Sequence, residues 1–88
     1  MPAVSTTVSV RVLFFGRLRE LSGISEEQST VPQGSTLADV FAVYSKRFPN
    51  LDGFRNSLVA SRNQEFASWD TPVAAGDEIA FLPPVSGG

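Results

Sequence analysis

The chain has 88 residues, a formal net charge of −2 and a hydrophobic fraction of 42%, and it contains neither Cys nor His. A chain of this length builds one small domain. The missing residue types exclude disulfides, Ser-His and Cys-His catalysis within this chain, and the usual zinc ligand sets. Because no basic stripe is present to neutralise phosphates, we expect no nucleic-acid partner.

Residues 1–7 are small and mostly polar and show no periodicity, which predicts a flexible leader. This stretch lacks the charged region and the long apolar region of a signal peptide. No apolar run of the sequence reaches transmembrane length. We therefore expect a cytoplasmic protein without a membrane partner.

The first strand is predicted at Val8–Phe15, where β-branched and aromatic residues alternate with their neighbours. In its second half, Leu13 and Phe15 occupy the positions that should face water. They predict either a second layer that covers them or a docking surface for a partner. A short helical turn is then predicted at Arg17–Gly23, and a more polar return strand at Ser25–Val31.

The clearest element is a helix between Thr36 and Pro49. Thr36 and Asp39 have the spacing of a capping box, with Asp in place of the usual Glu, and Pro49 ends the helix. The apolar residues that share one face of this helix are Leu37, Val40, Phe41, Tyr44 and Phe48. Such a stripe is typical of a helix that covers a sheet.

Two more strands are predicted in the second half of the chain, at Ser57–Ser61 and at Ile79–Leu82. The segments around these strands predict a polar loop at 50–56, a turn at 63–66 and a longer turn at 71–78. The pattern leaves open whether Phe66 and Trp69 pack on the core or are exposed.

These elements predict an α+β fold, a mixed sheet covered on one face by one main helix, in a single domain at 8–82. The first and last strands are the most apolar and should form the central pair of the sheet. If Phe14 and Phe81 face the helix, strict alternation turns Phe15 and Leu82 to the opposite face. An apolar surface is therefore expected beside the C-terminal segment.

The segment after the last strand is Pro83-Pro84-Val85-Ser86-Gly87-Gly88. Two prolines cannot continue a sheet ladder, so residues 83–88 are expected to leave the domain as an extended tail. Together with Leu82 this tail spans roughly 20 Å, enough to enter a pocket of another protein. Two glycines without side chains can pass a constriction that a Cβ would block. The alternative interpretation is a frayed, disordered terminus, which is common in proteins.

Several stretches carry a resemblance to a known family: Val12–Gly16, Arg19–Gly23, Gly76–Leu82 and, above all, Pro83–Gly88. They are similar to the small, sulfur-carrying subunits of molybdopterin synthase, which belong to the ubiquitin-like β-grasp proteins. The resemblance covers the chain from about Val8 onward and implies that fold. One departure is Leu82, where the family often has a second Phe before the prolines.

The resemblance also implies a mechanism. A separate adenylating enzyme would use ATP to convert the carboxylate of Gly88 into an acyl-adenylate, and sulfur would then replace the adenylate. The resulting thiocarboxylate would sulfurate a pterin precursor of the molybdenum cofactor in the large catalytic subunit, within a heterotetramer of two small and two large subunits. This chain would be a sulfur-donating subunit without a complete active site, and it would bind no cofactor or metal of its own.

The same resemblance implies roles for single residues. Gly88 would carry the reactive carbonyl and Gly87 would give clearance. The stiff lead-in would consist of Pro83, Pro84, Val85 and Ser86. Phe15 and Leu82 are expected to dock against an apolar surface of the partner. Arg19 is either a polar contact, by analogy with the family, or a solvated charge.

Several alternatives remain open from the sequence. Asp77 and Glu78 either meet a basic surface of the adenylating enzyme or only shape the turn. The same sulfur chemistry would also serve thiamin synthesis or tRNA thiolation. Alternatively, Gly88 ends in an isopeptide bond and the chain is a ubiquitin-like protein modifier. A plain interaction domain of this fold would not need the last two glycines.

Overall fold

The computed structural model describes residues 6–83. The predictions for residues 1–5 and 84–88 lie outside the described residues. The elements in chain order are β1 (Thr7–Phe14), α1 (Gly16–Ser22), β2 (Glu26–Pro32), α2 (Leu37–Arg47), a 3₁₀ helix (Pro49–Ser57), β3 (Val59–Arg62), β4 (Glu65–Ala67) and β5 (Glu78–Leu82).

The strands form one mixed sheet in the order β2-β1-β5-β3-β4. β1 and β5 are parallel neighbours at its centre, with Phe14 opposite Phe81. The other neighbouring strands are antiparallel. The predicted α+β architecture and the predicted central pair are confirmed. Because β1 and β5 run in the same direction, the end of β1 and the start of the C-terminal segment meet at one end of the sheet.

Helix α2 covers one face of the sheet and begins with the predicted capping box. The Thr36 hydroxyl accepts the Asp39 N–H at 3.2 Å, and the Asp39 carboxylate accepts the Thr36 N–H at 3.0 Å. A cap of this kind stabilises a helix by about 1 kcal/mol. The buried residues of α2 are Leu37, Val40, Phe41 and Tyr44. All of them belong to the predicted apolar face.

The core between α2 and the sheet is aromatic. The Phe14 ring meets the Tyr44 ring edge-on at 4.9 Å between centroids, and Phe41 meets Phe81 in the same way at 5.1 Å. Trp69 stacks on Phe81 at 5.7 Å. Trp69 therefore packs on the core, which decides one of the two positions that the sequence left open. Edge-on and offset pairs of this kind add about 1 kcal/mol to the burial of the rings.

The ends of two predicted strands differ in the structure. β1 begins at Thr7, one residue earlier than expected, so Thr7 belongs to the sheet and not to a leader. β1 also ends at Phe14, and Phe15 has left the strand as the residue that caps α1. β3 begins at Val59, because Ser57 still belongs to the preceding helix.

Two segments predicted as irregular have regular structure. The expected polar loop at 50–56 lies in the 3₁₀ helix, whose Leu51 is fully buried and holds this segment against the core. The expected turn at 63–66 ends in the short strand β4. The turn itself has only the two residues Asn63 and Gln64, both with positive φ, which is the geometry of a tight hairpin.

A polar contact joins β2 to α2 beside the aromatic core. The Tyr44 hydroxyl donates to Glu27 at 2.8 Å, and Arg47 donates to the same carboxylate at 2.6 Å. The hydrogen bond from Arg47 holds the pKa of Glu27 below its usual value. Burial and the bond to Glu27 raise the pKa of Tyr44 to about 12. The phenol therefore stays protonated in the folded protein at pH values where an exposed tyrosine ionises.

This shift predicts a loss of stability in alkali. The contribution of Tyr44 to the free energy of unfolding should be constant below the ordinary tyrosine pKa near 10 and should fall as the pH rises towards about 12, since only the unfolded state releases the proton there. Tyr44→Phe should abolish this alkaline decline. Urea unfolding at a series of alkaline pH values measures it. An equal decline in the Tyr44→Phe variant would show that another group is responsible.

Candidate functional site

The face of the sheet opposite α2 carries an apolar groove of about 320 Å³. Its lining residues are Leu13, Phe15, Ser61, Gln64, Phe66, Glu78, Ala80 and Leu82. The central row of this groove follows the strand register: Leu13 lies opposite Ala80, Ala80 opposite Ser61, and Ser61 opposite Phe66. One row of side chains therefore crosses four strands on the helix-free face. We call this surface the sheet groove.

The sheet groove is concave because its floor is small and its rim is large. Ser61 and Ala80 form the floor and are buried, whereas Phe15 is 43% exposed and Phe66 is 71% exposed. Single exposed apolar residues are ordinary, but two aromatic rings at one apolar groove make this surface a candidate for docking. The sequence also allowed a second layer of the protein to cover Leu13 and Phe15. Among residues 6–83 no segment covers Phe15, which stays exposed.

Strand β5 fixes where the C-terminal segment begins. It lies between β1 and β3, and its Phe81 is fully buried in the aromatic core. Leu82 pairs with Val59 and lines the sheet groove from the other face of the strand. Pro83 is exposed. The structure thus brings Phe15 and Leu82 together on the face opposite the helix, as predicted, at the point where the segment begins.

Most of the predicted tail residues lie outside the described residues, namely Pro84, Val85, Ser86, Gly87 and Gly88. Arg19 is described, and the structure does not bring it to the sheet groove. It is exposed on α1, and its carbonyl accepts the N–H of Gly23, which ends the helix at a φ of 73°. Within residues 6–83 no ion pair joins the Arg19 side chain to a carboxylate.

Charged residues border the sheet groove on one side. Arg11 lies between Glu26 at 3.5 Å and Glu78 at 3.4 Å, on the same face as Leu13. Ion pairs as exposed as these contribute at most about 1 kcal/mol to the free energy of unfolding. They add little to stability and give one side of the sheet groove a charged border.

Asp77 is buried, with 6% of its surface exposed. Its carboxylate accepts hydrogen bonds from Arg62 Nε at 2.6 Å, from the Ala74 N–H at 2.7 Å and from Asn63 Nδ2 at 3.0 Å. Burial opposes the ionisation of Asp77, but these bonds outweigh it and hold its pKa below the usual value. The carboxylate is therefore engaged within the fold. Of the two roles considered for Asp77, the structure supports the shaping of the turn.

Phe66 is the groove residue that the sequence did not assign. Its strand has only three residues and follows a turn whose second position is Gln64. Glutamine is not among the residues that usually mark tight turns, so the sequence predicted a turn at 63–66 but neither its two-residue length nor the strand that follows it. The one available hint was Asn63, which tolerates positive φ better than most residues.

Residues 6–83 contain no group of three or more acidic side chains placed to hold a metal ion. In the same part of the chain, no helix has the length and hydropathy needed to cross a membrane.

The sequence matches the family described as "ThiS family" over residues 12–88. It is also similar to proteins named molybdopterin synthase sulfur carrier subunit. The relative from Escherichia coli (strain K12) is 40% identical over 90% of this chain and 99% of its own length. The relative from Arabidopsis thaliana is 34% identical over 96% of this chain and 88% of its own length.

Solved structures give the same result for the fold. A putative molybdopterin converting factor subunit 1 of Pyrococcus furiosus matches with a TM-score of 0.80 at 28% identity, over 89% of this chain and 99% of its own. The small archaeal modifier protein 1 of Haloferax volcanii matches with a TM-score of 0.78 at 26% identity, over 89% and 99%. The predicted ubiquitin-like β-grasp fold is confirmed.

A further solved structure contains two different subunits. It is a complex of subunits 1 and 2 of the molybdopterin-converting factor of Helicobacter pylori, which matches with a TM-score of 0.61 at 27% identity, over 92% of this chain and 100% of the matched chain. In that protein, a domain similar to the present one is part of a complex with a second subunit.

The exposure of Phe66 predicts that this ring does not hold the domain together. Phe66→Ser should change the free energy of unfolding by no more than about 0.5 kcal/mol, as at other surface positions. Phe81→Ala should cost about 3–5 kcal/mol, because it leaves a cavity in the aromatic core. Urea unfolding of both variants makes the comparison. A large loss in Phe66→Ser would show that the rim of the sheet groove is structural.

Proposed function

Because this chain belongs to the ThiS family, we propose that it is the sulfur carrier subunit of a molybdopterin synthase. The observation that carries this proposal is its similarity to relatives with that name over nearly their whole length, at 40% identity for the Escherichia coli protein. The sheet groove beside the start of the C-terminal segment supports it, since a carrier needs a docking surface next to its reactive end.

In this proposal Gly88 provides the carboxyl terminus that carries sulfur. A carboxylate oxygen attacks the α-phosphorus of ATP in an adenylating enzyme, and pyrophosphate leaves. A sulfur nucleophile then attacks the carbonyl carbon, AMP leaves, and a terminal thiocarboxylate results. The thiocarboxylate sulfur bonds to a carbon of the pterin precursor, and water then hydrolyses the resulting thioester, which leaves the sulfur on the pterin and restores the carboxylate. A chain without Cys can carry sulfur in this way because the sulfur is bound to the main chain.

The groups of this chain then have two separate tasks. The sheet groove binds the partner through Leu13, Phe15, Phe66 and Leu82. Pro83 and Pro84 start a stiff segment that directs Gly87 and Gly88 into the partner's active site, where the partner supplies the acid–base groups and the pterin pocket. The two-plus-two stoichiometry, the contact of Arg19 and the cytoplasmic location stay predictions.

A second candidate function is that of a ubiquitin-like protein modifier, whose terminal carboxyl group forms an isopeptide bond with lysine. The likeness to the small archaeal modifier protein 1 of Haloferax volcanii favours it. Both candidates need activation of Gly88, so the product of activation distinguishes them. A carrier ends as a free thiocarboxylate, whereas a modifier ends attached to another protein.

We predict that the chain incubated with its adenylating enzyme, ATP and a sulfur donor gains about 16 Da, because one oxygen is replaced by sulfur. Gly87→Leu should abolish this gain and leave the fold unchanged, since a bulky side chain blocks the approach of the tail. Intact mass spectrometry measures the gain, and circular dichroism verifies the fold. A normal gain in Gly87→Leu, or masses of conjugated proteins in place of the gain, would refute the carrier mechanism.

We also predict that Leu82→Glu and Phe66→Glu each weaken binding to the large subunit by about 2 kcal/mol or more, the scale of an interface hot spot. The physical reason is that a carboxylate would be buried in an apolar contact. Val43→Glu is the matched control, because Val43 is an exposed apolar residue of α2, outside the sheet groove. Calorimetric titration measures the three affinities. Equal effects at all three positions would contradict docking through the sheet groove.

A further inference from the structure

We propose that Asp77 is a positioning residue for partner docking: through Arg62 and Asn63 it holds the β3–β4 hairpin in the conformation that places Phe66 at the rim of the sheet groove. This inference rests on the proposed docking function of the groove. Asp77 itself does not line the groove, so it acts through the hairpin.

The carboxylate of Asp77 connects three segments of the chain. It accepts from Arg62 at the end of β3, from Asn63 in the hairpin turn and from the N–H of Ala74 in the turn before β5. Arg62 and Asn63 donate to different oxygens, so the two carboxylate oxygens fix two points of the hairpin. Burial keeps water from competing for these bonds.

Asn63 strengthens the same connection from the other side. Its side-chain oxygen accepts the N–H of Glu78 at 2.9 Å, and its own N–H donates to the Glu78 carbonyl at 2.7 Å. The turn is thereby fastened to the beginning of β5. Asn63 and Gln64 both have positive φ, a conformation that most side chains disfavour. The bonds to Asp77 and Glu78 stabilise the turn in this conformation.

The outer strand and the turn of the hairpin need such support because they are short and lie at the edge of the sheet. β4 has three residues, lies at the edge of the sheet and pairs only with β3. Phe66 is mostly exposed and therefore gains little from packing. A two-stranded hairpin of this length is marginal by itself in water. A docking surface whose rim is already in place loses less conformational entropy on binding, which raises its affinity.

A matched control exists at the opposite edge of the sheet. Glu27 on β2 accepts from Arg47 at 2.6 Å and from Tyr44, so it is also a carboxylate held by an arginine and a second side chain. It lies between β2 and α2, outside the sheet groove. Glu27→Gln therefore measures what the loss of such a contact does to stability alone, without a change at the groove rim.

The experiment compares full-length Asp77→Asn, Glu27→Gln, Phe66→Ala and the double variant Asp77→Asn/Phe66→Ala for affinity to the purified large subunit. We expect Asp77→Asn to weaken binding about tenfold and Glu27→Gln to change it less than about twofold. In the Phe66→Ala background, Asp77→Asn should have little further effect, because the residue that it positions is gone. Hydrogen exchange at the amide of Asn63, which donates to the Glu78 carbonyl, should accelerate in Asp77→Asn and not in Glu27→Gln.

If Asp77→Asn does not fold, Asn63→Gly replaces it. Glycine keeps the positive φ of the turn and removes only the side-chain bonds to Asp77 and Glu78. Equal weakening by Asp77→Asn and Glu27→Gln, or full additivity with Phe66→Ala, would overturn the positioning role. Normal binding by Phe66→Ala would refute the docking groove and the positioning role together. Weak binding by Phe66→Ala with unchanged binding by Asp77→Asn refutes the positioning role alone.

Discussion

The parallel pairing of β1 with β5 is the constraint on which the rest of the structure depends. It joins the two most apolar strands at the centre of the sheet and sets Phe14 opposite Phe81 on the face that α2 covers. Since successive side chains alternate, the same register places Leu13 opposite Ala80 on the uncovered face. The core and the sheet groove therefore lie on the two faces of the same strand pair. A shift of the strand register by one residue would turn the core side chains to the groove face and the groove side chains to the core.

The sequence predicted the parts of this design that follow from alternation and capping. The residue pattern was sufficient to predict the apolar strands and the capping box of α2. It also predicted that the side chains of Phe15 and Leu82 face away from the helix. It did not predict the features that depend on tertiary contacts. The 3₁₀ helix forms where one buried Leu51 holds a polar segment to the core. The rim residue Phe66 depends on a two-residue turn in which Asn63 suits positive φ but Gln64 does not, and which the buried contacts of Asp77 help to hold in place.

The two edges of the sheet are stabilised by similar means. On β2, Glu27 is held by Arg47 and Tyr44, and at the β3–β4 hairpin Asp77 is held by Arg62 and Asn63. Each connects a short or polar edge strand to the more apolar centre, where burial alone is sufficient. Removing one partner from such a contact lowers the free energy of unfolding by more than the intact contact contributes to it, because the other partner stays buried without its hydrogen bonds.

In the proposed sulfur carrier, the separation of the docking surface from the reactive end has a kinetic consequence. A free peptide with the sequence of residues 83–88 would have to enter the partner's pocket in a bimolecular step and would gain little, since its last two residues have no side chains. Once the sheet groove is bound, entry of the tail becomes intramolecular, at an effective concentration in the millimolar range for a linker of about this length. Affinity then comes from the groove while the glycines keep their clearance. Changes in the groove should therefore act on the concentration dependence of sulfur transfer, and changes in the glycines on the rate within the complex.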